Sequence, residues 1–226
     1  MSESFAADRR ARVRALLGEL GRAGCRLETA PDGVLARLTA GRDTGAIVAL
    51  VRRPVPRSLL EVLQEQGSDR PLVLVGVNVE DPGNAGALVR TALAAGAAAY
   101  VRVGPGDPLH PRAVRTSMGS VVKLPLVEHQ AWAPALEALR RAGMTLVGAV
   151  ASGGLPLPVA RLGQGGVAVL VGSEASGLPA DVRGAADELV TVPMASGVDS
   201  FSVNAAAAII LYEVRRRRWC ADSAAG

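Results

Sequence analysis

With 226 residues the chain has room for one ordinary domain and a small appendage. Hydrophobic residues make up 49% and aromatics only 3%, so the core must be built from Ala, Val and Leu, which favours α/β layers. The formal net charge is +4, there is no run of about 18 apolar residues, and the N-terminal MSESFAADRRARVR has no apolar signal core, so a membrane span and secretion are not expected and a cytoplasmic location is.

Residues 8–23 place Val13, Leu16, Leu17 and Leu20 at helical spacing, with Gly21 and Gly24 ending the pattern. Leu27 to Thr29 fits a short strand, a short helix is expected from Pro31-Asp32 to Leu38, and AIVALV (46–51) reads as a buried strand. Pro54, Pro56 and the polar QEQGSDR then mark a boundary near Arg70. From there the chain alternates. Strands are expected at 72–77, 99–104, 123–127, 145–150, 166–172 and 188–192, with helices near 84–95, 111–118, 131–142, 178 and 200–217. LVLVGV (72–77) is a continuous apolar run, as in a strand covered on both faces. The alternation implies a parallel sheet with right-handed crossovers. The expected domains are 1–56, a linker at 57–70, a main domain at 71–219 and a tail at 220–226.

Cys25 and Cys220 read as reduced thiols, and with His110 and His129 the only histidines, no His-rich metal site is expected. Basic charge is almost all Arg, since Lys123 is the sole lysine. Arg9, Arg10, Arg12 and Arg14 cluster at one end and Arg215 to Arg218 form an unbroken run at the other. Each group reads either as a solvated helix face or as a surface for phosphates.

Three loops carry chemistry. The first, after 72–77, runs Asn78 to Gly86 at the sheet edge where open parallel sheets bind ligands. Asn84 is a candidate helix cap there, and Arg90 stands out in the apolar helix AGALVRTALAAGA, where a half-buried guanidinium needs a phosphate, a carboxylate or a neighbour such as Glu80. The second is the glycine turn Gly172-Ser-Glu174-Ala-Ser-Gly177-Leu178, which is neither a dinucleotide fingerprint nor a P-loop. The third is Val192-Pro193-Met194 through Asp199 and Ser200, with Ser200 a candidate cap for the last helix.

In order and spacing these segments resemble the SpoU (TrmH-like) branch of the SPOUT methyltransferases. The resemblance rests on Asn84, Gly86, Arg90 and Thr91, on Gly172-x-Glu174-x-x-Gly177-Leu178, and on Val192-Pro193-Met194 followed by Ser200-Phe201-Ser202-Val203-Asn204. It covers roughly residues 71–218. It implies a C-terminal deep trefoil knot, S-adenosyl-L-methionine held by Ala149, Gly172, Glu174, Gly177, Leu178, Val192, Met194, Ser200, Phe201 and Ser202, and a homodimer. It further implies methyl transfer to a ribose 2′-hydroxyl of rRNA or tRNA, with Arg90, Asn84, Ser200 and Glu174 as the catalytic set. Arg90, Arg9, Arg10, Arg12 and Arg14 are the expected RNA contacts. The segment AIVALVRRP resembles part of an L30e-like RNA-binding domain, which would make the first 56 residues a small α+β domain.

A guanidinium with a pKa above about 12 is a poor base. Arg90 is therefore better read as a cation that holds a substrate phosphate and stabilises a developing alkoxide. The family's S-L-N-V-S is S-F-S-V-N here. Residues two apart on a helix point about 200° apart, so Asn204 does not simply replace the Asn expected at 202. Either the turn before the helix is shifted, or Ser202 makes the contact, or catalysis is weakened. The rival readings are an RNA-binding homologue with little turnover and a methyltransferase acting on a base or a small molecule.

Overall fold

The computed structural model describes residues 3–39, 47–160, 162 and 165–225, with side chains described from residue 11 to 223. The chain divides into two units, Met1–Arg52 and Arg53–Gly226.

The described part of the first unit holds two helices, α1 (Glu3–Arg22) and α2 (Asp32–Leu38). Helix α1 stops where Gly24 turns left-handed (φ 77°), and Cys25 N–H reaches back to the Leu20 carbonyl. No strand forms at 27–29 or at 47–51, and Leu50 and Val51 are 88% and 78% exposed. The small α+β domain expected here thus has no strand among its described residues; Ala46, the first residue of the expected strand, lies outside them. An apolar run becomes a strand only when neighbours pair with its N–H and C=O groups, and no described segment of this unit does so.

The second unit contains a seven-stranded sheet whose strands pair in parallel throughout, in the order β3-β2-β1-β6-β4-β7-β5. Its strands are β1 (Leu72–Val77), β2 (Ala99–Val103), β3 (Leu126–His129), β4 (Thr145–Ala149), β5 (Leu155–Pro156), β6 (Val167–Val171) and β7 (Glu188–Thr191). The helices are α3 (Leu59–Gln66), α4 (Pro82–Ala94), α5 (Pro111–Thr116), α6 (Trp132–Arg141), α7 (Ala180–Ala185) and α8 (Val203–Ala225).

Strand β1 is buried along its whole length. Leu72 and Leu74 face a cluster with Leu88, Val89, Ile210 and Leu211 from α4 and α8. Val73, Val75 and Val77 face the opposite cluster, with Leu59 and Val62 of α3 and Ala135 and Leu139 of α6. The alternation of side chains along a strand thus sends one apolar run into two cores.

Strand β3 runs from Leu126 to His129 rather than over the expected 123–127, and two segments differ from the expected domain boundaries. Residues 57–70, read as a linker, contain α3, whose Ser58 and Glu61 form a reciprocal capping box and whose Leu59 and Val62 are buried. The expected tail is the end of α8, where Arg70 pairs with Asp222 at 2.8 Å.

The sheet order positions the site. Strand β6 inserts between β1 and β4, and β7 lies beyond β4. The segments that leave β4, β6 and β7 at their carboxyl ends are therefore neighbours, the place where open parallel sheets bind ligands.

Candidate active site

Those three segments and the start of α8 line an open cavity of about 550 Å³. Ala149 to Ser152 line it after β4, Gly172 to Leu178 after β6, and Val192, Met194 and Asp199 to Val203 after β7. All ten residues expected from the sequence to hold the cofactor lie on its wall. Arg183 and Asp199 also line it; the sequence placed Asp199 in the third loop without assigning it a contact, and Arg183 was missed. Their only sequence signal is charge on either side of the second and third loops.

Main chain forms much of this wall because the glycine turn closes on itself. Gly177 N–H donates to the Ser173 carbonyl (2.8 Å), Ser176 N–H donates to Ser173 Oγ (3.2 Å), and Gly177 is left-handed (φ 66°). A methyl group on Gly172 would collide with the backbone of Gly177 and Leu178. Only glycine permits that approach.

Asn84 and Arg90 belong to α4. Asp81 caps this helix, accepting from Asn84 N–H at 2.9 Å, with Pro82 in the first turn. Asn84 is therefore not the cap, and its side chain is free for another partner. Its Oδ1 accepts from Asn204 Nδ2 at 3.2 Å, across 120 positions of sequence. Arg112 holds the cap, donating to Asp81 Oδ2 at 2.9 Å.

Arg90 is exposed, while Leu88, Val89 and Ala92 take the buried side of α4. The expectation of a half-buried guanidinium is thus corrected. Arg90 has no hydrogen-bond or ion-pair partner among the described residues, and Glu80 is not one.

Helix α8 begins at Val203, not at Ser200. The cap is Ser202, whose Oγ accepts from Ala205 N–H at 3.3 Å and whose carbonyl accepts from Ala206 N–H at 3.0 Å. Ser202 lies outside the helix, so the 200° separation between 202 and 204 does not apply.

The arginine clusters separate. The side chains of Arg9 and Arg10 lie outside the described residues; Arg12 and Arg14 are exposed. In the C-terminal run, Arg217 donates to the carbonyls of Ala160, Leu157 and Pro158, and Arg218 to those of Arg70 and Gly165. Arg216 pairs with Glu213, and Arg215 stacks over Trp219 at 5.3 Å. Arg216 and Arg217 together hold the Glu213 carboxyl down to about 2, against bulk desolvation. Of the two readings of this run, neither describes Arg217 and Arg218, which dock the end of α8.

Behind the first loop, Arg102 is buried and donates to Glu128 at 3.0 Å and to the Gly104 carbonyl. Arg53 adds bonds to Asp107 and Glu128. Burial, with Arg102 nearby, pushes the His129 imidazole below its usual range. Cys25 and Cys220 are free thiols. Among the described residues no helix is long and apolar enough to cross a membrane, and no three His, Cys, Asp or Glu side chains gather to hold a metal ion.

A parallel α/β sheet with a polar cavity outside its carboxyl edge, walled by two glycine-bearing turns, defines the class as a small-molecule-binding α/β protein. Comparison with known proteins gives the family. The SpoU rRNA Methylase family model matches residues 71–212, more than half of the chain, and this chain belongs to that family. A Mycobacterium bovis protein described as an uncharacterized tRNA/rRNA methyltransferase is 33% identical over 216 residues, covering 94% of this chain and 73% of that protein. The 23S rRNA (guanosine-2′-O-)-methyltransferase RlmB of a Burkholderia species is 33% identical over 211 residues, covering 92% and 84%. Among solved structures, the AdoMet-bound rRNA methyltransferase of Sinorhizobium meliloti superposes with a TM-score of 0.77 at 27% identity, covering 92% of this chain and 78% of that one. The AdoMet complex of the SpoU methyltransferase AviRb from Streptomyces viridochromogenes superposes with a TM-score of 0.61 at 33% identity, covering 66% and 58%.

Proposed function

We propose that this chain is an S-adenosylmethionine-dependent methyltransferase that modifies a ribose 2′-hydroxyl of rRNA. The observation that carries this reading is the cavity after β4, β6 and β7, whose lining residues Ser202 and Val203 directly precede Asn204, the partner of the Asn84 amide. The residues suit the cofactor. Main-chain groups around Gly172 and Gly177 offer hydrogen bonds to an adenine, Val192, Met194 and Phe201 offer apolar contact, and Arg183 offers a cation for a carboxylate. Bound S-adenosylmethionine supplies an activated methyl group, so the protein's task is alignment, which contributes up to about 7–11 kcal/mol in favourable cases.

Arg90 is the catalytic cation in this reading. Its exposed guanidinium grips an RNA phosphate and stabilises negative charge developing on the ribose oxygen. The phosphate or a water takes the proton. Asn84 and Ser200 position the ribose, and Glu174 supports the glycine turn or meets an arginine of a second copy. Arg12 and Arg14 of the first unit, with Arg9 and Arg10, extend the RNA contact, and residues 1–56 serve as the RNA-binding part.

The finer architecture belongs to the same proposal. Insertion of β6 between β1 and β4, with α8 returning to pack on α4, supports a C-terminal trefoil knot. A homodimer is supported by the outer side of α8, where Tyr212 (59% exposed) and Trp219 (51% exposed) stand edge to face with centroids 6.2 Å apart. The site of action is the cytoplasm.

The test is to incubate the protein with methyl-labelled S-adenosylmethionine and rRNA from a strain lacking its gene, digest the RNA to nucleosides and identify the product by mass spectrometry. A 2′-O-methyl nucleoside is expected. A methylated base, or cofactor binding without transfer to any RNA, contradicts the proposal.

A further inference from the structure

We infer that Asn204 is a positioning residue for the methyl transfer, fixing which way the Asn84 amide points. The inference rests on the function proposed above. An asparagine amide has two faces of opposite character, an acceptor oxygen and a donor NH₂. On its own, the Asn84 side chain at the first turn of α4 could present either. Here its Oδ1 is engaged by Asn204 Nδ2 at 3.2 Å, which leaves the Asn84 NH₂ as the group available to a ligand oxygen. Such a donor suits the oxygen of a ribose hydroxyl or a phosphate.

Three further observations separate this pair from ordinary packing. Asp81 already caps α4, so Asn84 is not needed there. Ser202 already caps α8, so Asn204 is not needed there either. Finally, Asn204 Oδ1 is buried and has no hydrogen-bond partner among the described residues. A buried acceptor without a partner is destabilising, so the pair is a poor device for stability alone; groups of this kind concentrate where function requires them. The exchange within S-F-S-V-N then has a physical meaning. The hydroxyl stands at 202, where the helix needs a cap, and the amide stands at 204, where it reaches α4.

The test uses the full chain with four variants: Asn204→Ala, Asn204→Asp, Asn84→Ala and the double Asn84→Ala/Asn204→Ala. Steady-state methyl transfer to rRNA from the deletion strain gives kcat and KM, calorimetry gives the affinity for S-adenosylhomocysteine, and thermal denaturation reports folding. Asn204→Ala is expected to lower kcat about 10- to 100-fold, with S-adenosylhomocysteine affinity within about twofold of wild type. Asn204→Asp is the sharper variant. A carboxylate still bonds to Asn84 but only accepts, so it turns the Asn84 amide round; kcat is expected to fall at least as far as in Asn204→Ala. The double variant should be no slower than Asn84→Ala, because one residue acts through the other. If the wild type is active and Asn204→Asp turns over at the wild-type rate, or the two losses add, this inference alone is overturned. If the wild type transfers no methyl to ribose, the proposed function falls and this inference with it.

Discussion

At the C-terminal end of α8, Arg217 and Arg218 direct their donors at five main-chain carbonyls, and Arg218 is only 9% exposed. On α4 and α7, Arg90 and Arg183 are exposed and have no partner among the described residues. One residue type thus serves two purposes in one chain. A guanidinium carries five donors in a fixed fork. Where the fold engages both terminal nitrogens, the arginine is a fastener and its charge has little left to offer a ligand. Where the fold leaves them open, as at Arg90 and, on the cavity wall, at Arg183, the charge is available to a phosphate or a carboxylate. Donor occupancy, rather than the density of Arg in the sequence, separates the two.

Stability measurements on both groups sharpen this contrast. Arg218→Ala has the largest expected effect, about 2–4 kcal/mol, because it leaves the Arg70 and Gly165 carbonyls without their donors; urea denaturation measures it, and a loss under about 0.5 kcal/mol would break the comparison. Glu213→Gln comes next, at about 0.5–1 kcal/mol near neutral pH, since it weakens the partners Arg216 and Arg217. Its pH dependence follows from the depressed Glu213 carboxyl. The stabilisation is complete above about 4.5 and is lost as the pH falls towards about 2, so the curves of wild type and variant should converge in that interval. Arg183→Ala and Arg90→Ala should change stability least, within about 0.5 kcal/mol. Arg183→Ala is instead expected to weaken S-adenosylhomocysteine about tenfold while leaving 5′-methylthioadenosine, which lacks the carboxylate, unaffected in a calorimetric titration.

The division between fold and site also marks what the sequence makes legible. Strands β1, β2, β4, β6 and β7 are apparent within a residue or so, because most are apolar runs that end at a glycine or polar turn and β7 ends just before Pro193. The cavity wall was legible too, since its glycines lie beside those strand ends. Contacts that depend on distant partners were not. Arg218 meets Arg70 across 148 positions and Asn204 meets Asn84 across 120. Nothing local in RRRR distinguishes a docked arginine from a solvated one. The expected strand at 46–51 fails for the same reason, because its apolar residues find no described strand to pair with. Conversely, α3 was hidden by the polar residues on its outer face, while Leu59 and Val62 supply its buried side.

The central claim is that an open guanidinium on α4 drives transfer while the cavity at the carboxyl ends of β4, β6 and β7 holds the cofactor. Arg90→Ala tests it directly when methyl transfer to rRNA and S-adenosylhomocysteine affinity are measured on the same preparation. The account predicts that transfer falls at least about 100-fold, equivalent to roughly 2.7 kcal/mol of transition-state stabilisation, with affinity within about twofold of wild type. Full turnover by Arg90→Ala, or loss of cofactor affinity in step with turnover, would contradict it.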